Sequence, residues 1–134
     1  MKGTENIPVG ASATKSVEVT KEMTVKWFHD DMPEVYGTPM MIYLMEVVAA
    51  DAIQKYLPEG MVSVGVVVNV KHLAATPVGF TVTAKAEVIE VGENTVTFAV
   101  EAHDGKDKIG EGTHVRAPVA LDRFMKRVEA KSKQ

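Results

Sequence analysis

One segment of this 134-residue chain limits the possible folds more than any other. It is residues 40–57, MMIYLMEVVAADAIQKYL, which follow Thr38-Pro39 and end before Pro58 and Gly60. Threonine is a good helix N-cap and proline is favoured at the first helical position, so a helix is predicted to begin after Thr38. Its first half is apolar on every side, which is typical of a helix that is buried around its whole circumference.

The rest of the chain has the two-residue period that indicates β-strands. One weakly alternating strand is predicted before the helix, at 13–20, and residues 21–37 are predicted to form a loop with room for a short helix. After the long helix, strands are predicted at 61–73, 80–91, 95–103 and 107–119, and a C-terminal helix follows. Short turns join these strands, which favours antiparallel neighbours.

A sheet that wraps around the helix is the arrangement that covers its whole circumference. We therefore predict an α+β hotdog fold, in which an antiparallel sheet wraps around one long buried helix, plus a C-terminal helix. The length suits a single domain over residues 1–134. The edge of the sheet and the remaining helix face need a partner, so we expect a homodimer or a higher oligomer.

Composition removes several classes of function. The net charge is −3 and no basic patch argues for nucleic acid. The absence of cysteine excludes disulfides, thiolate nucleophiles and cysteine metal sites. The N-terminal residues lack the apolar core of a signal peptide, and no apolar run approaches the roughly 20 residues that span a membrane. We expect a cytoplasmic protein without a membrane partner, and we predict neither a metal nor a separate cofactor.

Glu46 is the most informative single residue. No helical neighbour of it is charged; these neighbours are Ile42, Tyr43, Ala49, Ala50 and Ile53. A carboxylate there loses hydration, and an uncompensated buried charge is costly. Either it faces a gap in the sheet and is solvated, or a cleft holds it as a base or nucleophile.

His72 and Thr38 are the next candidates. Alternation along 61–73 places His72 on one apolar face, which is predicted to point at the helix; the other members are Val64, Val66, Val68 and Val70. A lone inward histidine is more often a core residue, but with Glu46 it could share a proton. Thr38 is already explained as a helix N-cap. Eight helical residues separate it from Glu46 by roughly 12 Å, which leaves space for a substrate carbonyl or a water.

Other polar residues carry weaker signals. His29, Asp30 and Asp31 could ligate a metal, although such a run is more often a solvated acidic patch. His103-Asp104 is predicted to be a turn feature. His114 and Arg116 share one side of the last strand; Arg116 could bind a phosphate or carboxylate, but an exposed strand arginine is the commoner case.

Three segments carry a resemblance to a known family: YGTPMMIYLMEVVAADAIQKYLPEG, SVGVVVNVKHLAATPVGFTVTAKAEV and AHDGKDKIGEGTHVRAPVALDRFMKRV. Together they resemble the fluoroacetyl-CoA thioesterase and its hotdog relatives from about Met32 to Val128. The resemblance implies acyl-CoA hydrolysis, with CoA as part of the substrate, and a homodimer whose active sites lie at the subunit interface. It implies Thr38, Glu46 and His72 as catalytic residues and Gly65 and Arg116 as residues that bind substrate or CoA.

The stretch before Thr38 departs from the fluoroacetyl-specific member. Phenylalanines that form a lid and a fluorine-sensing pocket there match His29 and Met32 here, and Phe28 is out of register. We therefore expect a small or medium acyl-CoA substrate. Two alternatives remain, a hotdog acyl-thioester hydratase or dehydratase and a non-catalytic acyl-CoA-binding domain. The sequence also leaves open whether the carrier is CoA or acyl carrier protein, and whether Glu46 is nucleophile or general base.

Overall fold

The structure is a computed structural model that describes residues 2–134. Within these residues, one strand precedes two helices, four consecutive strands follow, and a third helix ends the chain. The elements are β1 (Ser12–Glu18), α1 (Val25–Phe28), α2 (Thr38–Ile53), β2 (Met61–His72), β3 (Thr81–Val91), β4 (Val96–His103), β5 (Lys108–Ala120) and α3 (Leu121–Ser132). Single 3₁₀ turns at Lys21–Met23 and Gln54–Tyr56 precede α1 and extend α2.

The five strands form one antiparallel sheet in the order β1-β3-β4-β5-β2. Helix α2 packs on one face of this sheet and contacts all five strands. The predicted α+β hotdog fold is therefore confirmed, including the C-terminal helix. No helix in residues 2–134 is both long enough and apolar enough to cross a membrane.

The core lies between α2 and the central strands. On β3, alternate residues from Val82 to Val88 are fully buried, and β4 buries alternate residues from Val96 to Ala102 in the same way. Two of the four buried β3 residues are alanines, which let the helix approach the sheet closely. This regular alternation follows from strand geometry, in which successive side chains point to opposite faces.

The prediction that α2 is buried around its whole circumference is wrong for the single chain. Tyr43 is 64% exposed, and Ile42, Val47 and Ala50 are only partly buried. The sheet is open, not closed, so it covers one side of the helix and leaves the other uncovered. Glu46 lies at the border between the two sides.

The prediction that Thr38 is the N-cap of α2 is also wrong. The cap is Gly37, Thr38 is the first helical residue and Pro39 the second. The Gly37 N–H donates to the Met23 carbonyl, and the Tyr36 N–H donates to the Thr76 carbonyl. Backbone contacts therefore fix the start of the helix, and the Thr38 hydroxyl is available for another partner.

Strand β2 departs from the predicted alternation because it contains a β-bulge. Gly65 pairs with Arg116 and Val67 pairs with Val115, so Val66 is an extra, unpaired residue. The bulge exchanges the two faces of the strand. The helix face is formed by Ser63 and Gly65 before the bulge and by Val68, Val70 and His72 after it. Val64 is therefore not on the helix face, whereas His72 is.

Candidate active site

The Glu46 carboxylate is half-buried between α2 and the sheet. Its side chain is 36% exposed, and its Oε2 atom lies 3.5 Å from Nη1 of Arg116. Gly65 lies directly against it, since a Cβ atom at this position would collide with Oε2. Both interpretations of Glu46 therefore hold in part: the carboxylate reaches solvent, a cationic partner faces it, and the missing side chain of Gly65 leaves room for it.

Arg116 is buried, at 7% exposure, so the expectation of an exposed strand arginine is wrong. Its Nε donates to the Ser63 hydroxyl and its Nη2 to the Ser63 carbonyl, both at 2.8 Å. Burial lowers the pKa of Arg116 and Glu46 opposes the shift, but a guanidinium remains charged at neutral pH. The positive charge of Arg116, which is buried on the helix side of β5, therefore compensates the negative charge of Glu46.

His114 is a polar residue that sequence reasoning did not select. It is 1% exposed, with Nδ1 2.7 Å from the Val67 carbonyl and Nε2 3.2 Å from Nη1 of Arg116. Its ring stacks on Phe98, with centroids 6.1 Å apart. Burial lowers the pKa of His114, and the Arg116 charge acts in the same direction. The sequence feature that pointed to His114 is its position two residues before Arg116, which places both side chains on the same side of β5.

Thr38 and His72 form a second polar group. Thr38 Oγ1 and His72 Nδ1 share a hydrogen bond of 2.7 Å between the start of α2 and the end of β2. His72 Nε2 is buried and has no hydrogen-bond partner within residues 2–134. Burial lowers the pKa of His72, so its imidazole is neutral at neutral pH.

The predicted site residues thus fall into two groups. Thr38 lies with His72, and Glu46 lies with Gly65 and Arg116. Among the hydrogen bonds and ion pairs of residues 2–134, none joins one group to the other. Thr38 is the first residue of α2, so eight residues of helix, or roughly 12 Å along the axis, separate it from Glu46.

Two cavities lie beside the start of α2. One of about 420 Å³ is lined by Thr38 and His72, together with Tyr36 and Leu73. A second, of about 330 Å³, has a lining that includes Phe28, His29 and Met40. Val25 and Met32 line both cavities, so these two side chains separate the Thr38–His72 pair from an apolar compartment.

A buried polar link supports the start of α2. The Thr76 hydroxyl donates to Oδ2 of Asp104 at 2.9 Å, and Oδ1 of Asp104 accepts the N–H groups of Lys106 and Asp107. The Thr76 carbonyl in turn accepts a hydrogen bond from the Tyr36 N–H. Burial of the Tyr36 side chain raises the pKa of its phenol to about 12. Asp104 is the turn residue that the sequence predicted, and it also connects the β4–β5 hairpin to the residues before Thr38.

The acidic run near α1 has no partner that suggests a site. His29, Asp30 and Asp31 are exposed, and His29 Nδ1 accepts the Asp31 N–H at 3.4 Å. Within the described part of the chain, no three histidine, aspartate or glutamate side chains converge as metal ligands would.

An antiparallel sheet packed on one long helix, with a half-buried carboxylate midway along that helix, is the architecture of a hotdog protein. Residues 19–122 match the family described as fluoroacetyl-CoA-specific thioesterase. The fluoroacetyl-CoA thioesterase of Streptantibioticus cattleyicolor is 37% identical over 96% of both chains. The chain belongs to this family, and the prediction of a thioester hydrolase is confirmed at that level.

Solved structures agree with this assignment. A structure of the fluoroacetyl-CoA thioesterase superposes with a TM-score of 0.88 at 38% identity, covering 95% of this chain and 98% of that one. A thioesterase superfamily member from Thermus thermophilus superposes with a TM-score of 0.86 at 29% identity, covering 96% and 98%. The similarity extends over nearly the whole of each chain.

Proposed function

We propose that this protein hydrolyses the thioester of a small or medium acyl-CoA to the free acid and CoA, through Glu46, Thr38 and His72. One observation carries the proposal. A carboxylate that faces Arg116 and lies against Gly65 is on the same helix as a threonine hydroxyl that is hydrogen-bonded to a histidine. A thioester carbonyl placed between the two groups would have a nucleophile or base on one side and proton-transfer groups on the other.

The proposed roles follow from the chemistry of each group. Glu46 either activates a water or attacks the carbonyl itself, which gives a transient anhydride that water then hydrolyses. The Gly65 backbone and the hydroxyl of Thr38 stabilise the oxyanion. In the water route, the attacking water supplies the proton that reaches the departing thiolate, and His72 assists this transfer because an imidazole can both accept and donate a proton. In the direct-attack route no proton is released before the thiolate departs, so the thiolate takes its proton from solvent.

The lining of the second cavity supports a small or medium apolar acyl group. This compartment of about 330 Å³ is bounded by apolar side chains on α1 and on the first turn of α2, beside His29 and Met32. Methionine is flexible and fills irregular space, so it does not define a rigid pocket for one small group. We propose that acyl chains longer than acetyl are accepted and that a fluorine substituent gives little advantage.

We also propose that residues 1–134 act as one domain in a homodimer that completes the site. Strand β2 is an open edge of the sheet, and Val66, Val67 and Val68 on it are exposed. Tyr43 on the uncovered side of α2 adds to this apolar surface, next to Glu46. Exposed apolar edges are normally covered. Size-exclusion chromatography with light scattering tests the dimer, and a monomer at assay concentration would contradict it.

The first experiment is a panel of acyl-CoAs, from acetyl to decanoyl, assayed for free thiol. We expect turnover of several members, with fluoroacetyl-CoA hydrolysed within about tenfold of acetyl-CoA, since the phenylalanine lid is replaced. No turnover across the panel would refute the thioesterase proposal. Crotonyl-CoA in the same panel tests for a hydratase, because hydration without free CoA would favour that enzyme class instead.

A second experiment separates the two chemical routes. A single turnover in ¹⁸O-labelled water, followed by mass spectrometry of the Glu46 peptide, detects an anhydride that water opens at the glutamyl carbonyl, because that hydrolysis leaves label in the carboxylate. Label in Glu46 supports direct attack. Label in the released acid alone is the result expected for a Glu46-activated water, and it excludes an anhydride that is opened at the glutamyl carbonyl.

A further inference from the structure

His114 has a defined set of partners although it touches no solvent. On its own strand, Nη1 of Arg116 lies 3.2 Å from Nε2, and across the sheet the Val67 carbonyl lies 2.7 Å from Nδ1. Phe98 on β4 covers one ring face. A Cβ atom at Gly65 would come within 3.3 Å of His114 Cε1, so the ring also lies against the glycine that borders Glu46.

These partners fix the protonation state of the ring. An arginine guanidinium only donates hydrogen bonds, so Nε2 must accept from Nη1 of Arg116. A carbonyl oxygen only accepts hydrogen bonds, so Nδ1 must carry a proton and donate to the Val67 carbonyl. One neutral tautomer satisfies both contacts, and a proton on Nε2 would face a cation. Arg116 and Glu46 are the charged groups that face His114, from β5 and α2 respectively.

We propose that His114 is a positioning residue for Glu46, which acts by orienting the Arg116 guanidinium that faces the carboxylate. This inference rests on the proposed hydrolysis, because it gives His114 a role in that reaction. Its Nε2 orients Nη1, the same Arg116 nitrogen that faces the carboxylate. Its Nδ1–H holds the carbonyl of Val67, the residue that follows the unpaired Val66, and so fixes the strand two residues after Gly65.

Two substitutions separate the two hydrogen bonds. In His114→Gln, the amide oxygen reaches the place of Nε2 and can accept from Arg116. In His114→Asn, the shorter amide reaches the place of Nδ1 and keeps the bond to Val67. We expect kcat to fall about 10-fold or more in His114→Asn with little change in KM, and to stay within about 3-fold of the wild type in His114→Gln.

A role limited to packing predicts a different result, because both variants would then lose stability without a difference in kcat. Thermal melts of the two variants therefore accompany the kinetics. Equal kcat values in two folded variants, or a larger loss in His114→Gln, would overturn the proposal.

A measurement on the wild type tests the hydrogen bonds that the proposal requires, even where a variant does not fold. ¹⁵N NMR of the histidine side chains reports which ring nitrogen carries the proton. We expect His114 to show a protonated Nδ1 and an unprotonated Nε2 at neutral pH, and the opposite tautomer would refute the proposal. This measurement does not need turnover, so a wild type that releases no thiol would refute the proposed function without deciding the tautomer.

Discussion

The two polar groups at α2 differ in charge and in how completely they are bonded. Around Glu46, a buried guanidinium is held by Ser63 and His114 and faces the carboxylate. At the start of the helix, Thr38 and His72 are uncharged, and one buried nitrogen of the histidine has no partner within residues 2–134. A charged group inside a protein needs fixed compensation, whereas a neutral pair can keep an unused hydrogen-bonding position for a substrate.

The largest expected effect comes from neutralising the charged group. Glu46→Gln keeps the shape of the side chain and removes its nucleophilic and basic oxygen, so kcat for thiol release should fall about a thousandfold. Asp51→Asn is the matched control, because Asp51 is an exposed carboxylate on the same helix. Substantial activity in Glu46→Gln would show that the Thr38–His72 pair, and not Glu46, carries out the chemistry.

The second effect comes from moving the carboxylate without removing it. In Gly65→Ala the new methyl group would collide with Glu46 Oε2 and push the side chain away from Arg116. Misplacement of this kind should lower kcat about a hundredfold while the protein remains folded. Asn69→Ala, on the opposite face of the same strand, should leave steady-state kinetics unchanged. Equal activities in the two variants would show that Gly65 does not set the position of Glu46.

The third prediction concerns the uncharged pair of Thr38 and His72. Thr38→Val is close to isosteric but removes the hydroxyl that meets His72, and it should reduce kcat about 10- to 100-fold. Thr38→Ser retains the hydroxyl and should recover most of the activity. Because Thr38 is exposed, Thr38→Ser should change the free energy of unfolding by no more than about 0.5 kcal/mol, whereas Thr38→Val loses the hydrogen bond to His72 and should lower it by about 1 kcal/mol. If serine were as damaging as valine, the methyl group and not the hydroxyl would matter.

The smallest effect appears in the pH dependence of stability. Burial lowers the pKa of both His72 and His114 from the ordinary value of 6.5. As the pH falls below 6.5, the unfolded chain takes up protons at these residues before the folded chain does, so the free energy of unfolding should decrease. Urea unfolding at about pH 7.5 and about pH 5.5 measures this. Equal midpoints at the two pH values would contradict it.

Much of the fold could be predicted because its elements follow local rules. The apolar segment after Thr38, the four strands and the short turns between them specify the element order, and β3 and β4 alternate as a half-buried strand should. Glu46 was also accessible to sequence reasoning, since a single carboxylate among apolar helical neighbours is unusual. Its assignment with Thr38 and His72 as a catalytic set stays a prediction.

What could not be predicted depends on pairing between distant segments. The bulge at Val66 is visible only once β2 is aligned with β5, and it reverses the face of every β2 residue before it relative to those after it. The burial of Arg116 depends on the same alignment, because Ser63 must lie on the correct face to accept its hydrogen bonds. A polar residue on a strand appears exposed until its partners on the neighbouring strand are known.

The hairpin that begins at Asp104 has a consequence for how the chain tolerates change in length. Exposed hairpin tips are usually permissive sites for insertions and fusions. Here the Asp104 carboxylate is bonded to Thr76, and Thr76 holds Tyr36 two residues before Thr38. An inserted residue would displace Asp104, and this displacement would be transmitted through Thr76 to the first turn of α2. This tip is therefore a poor place to attach a tag or graft a loop.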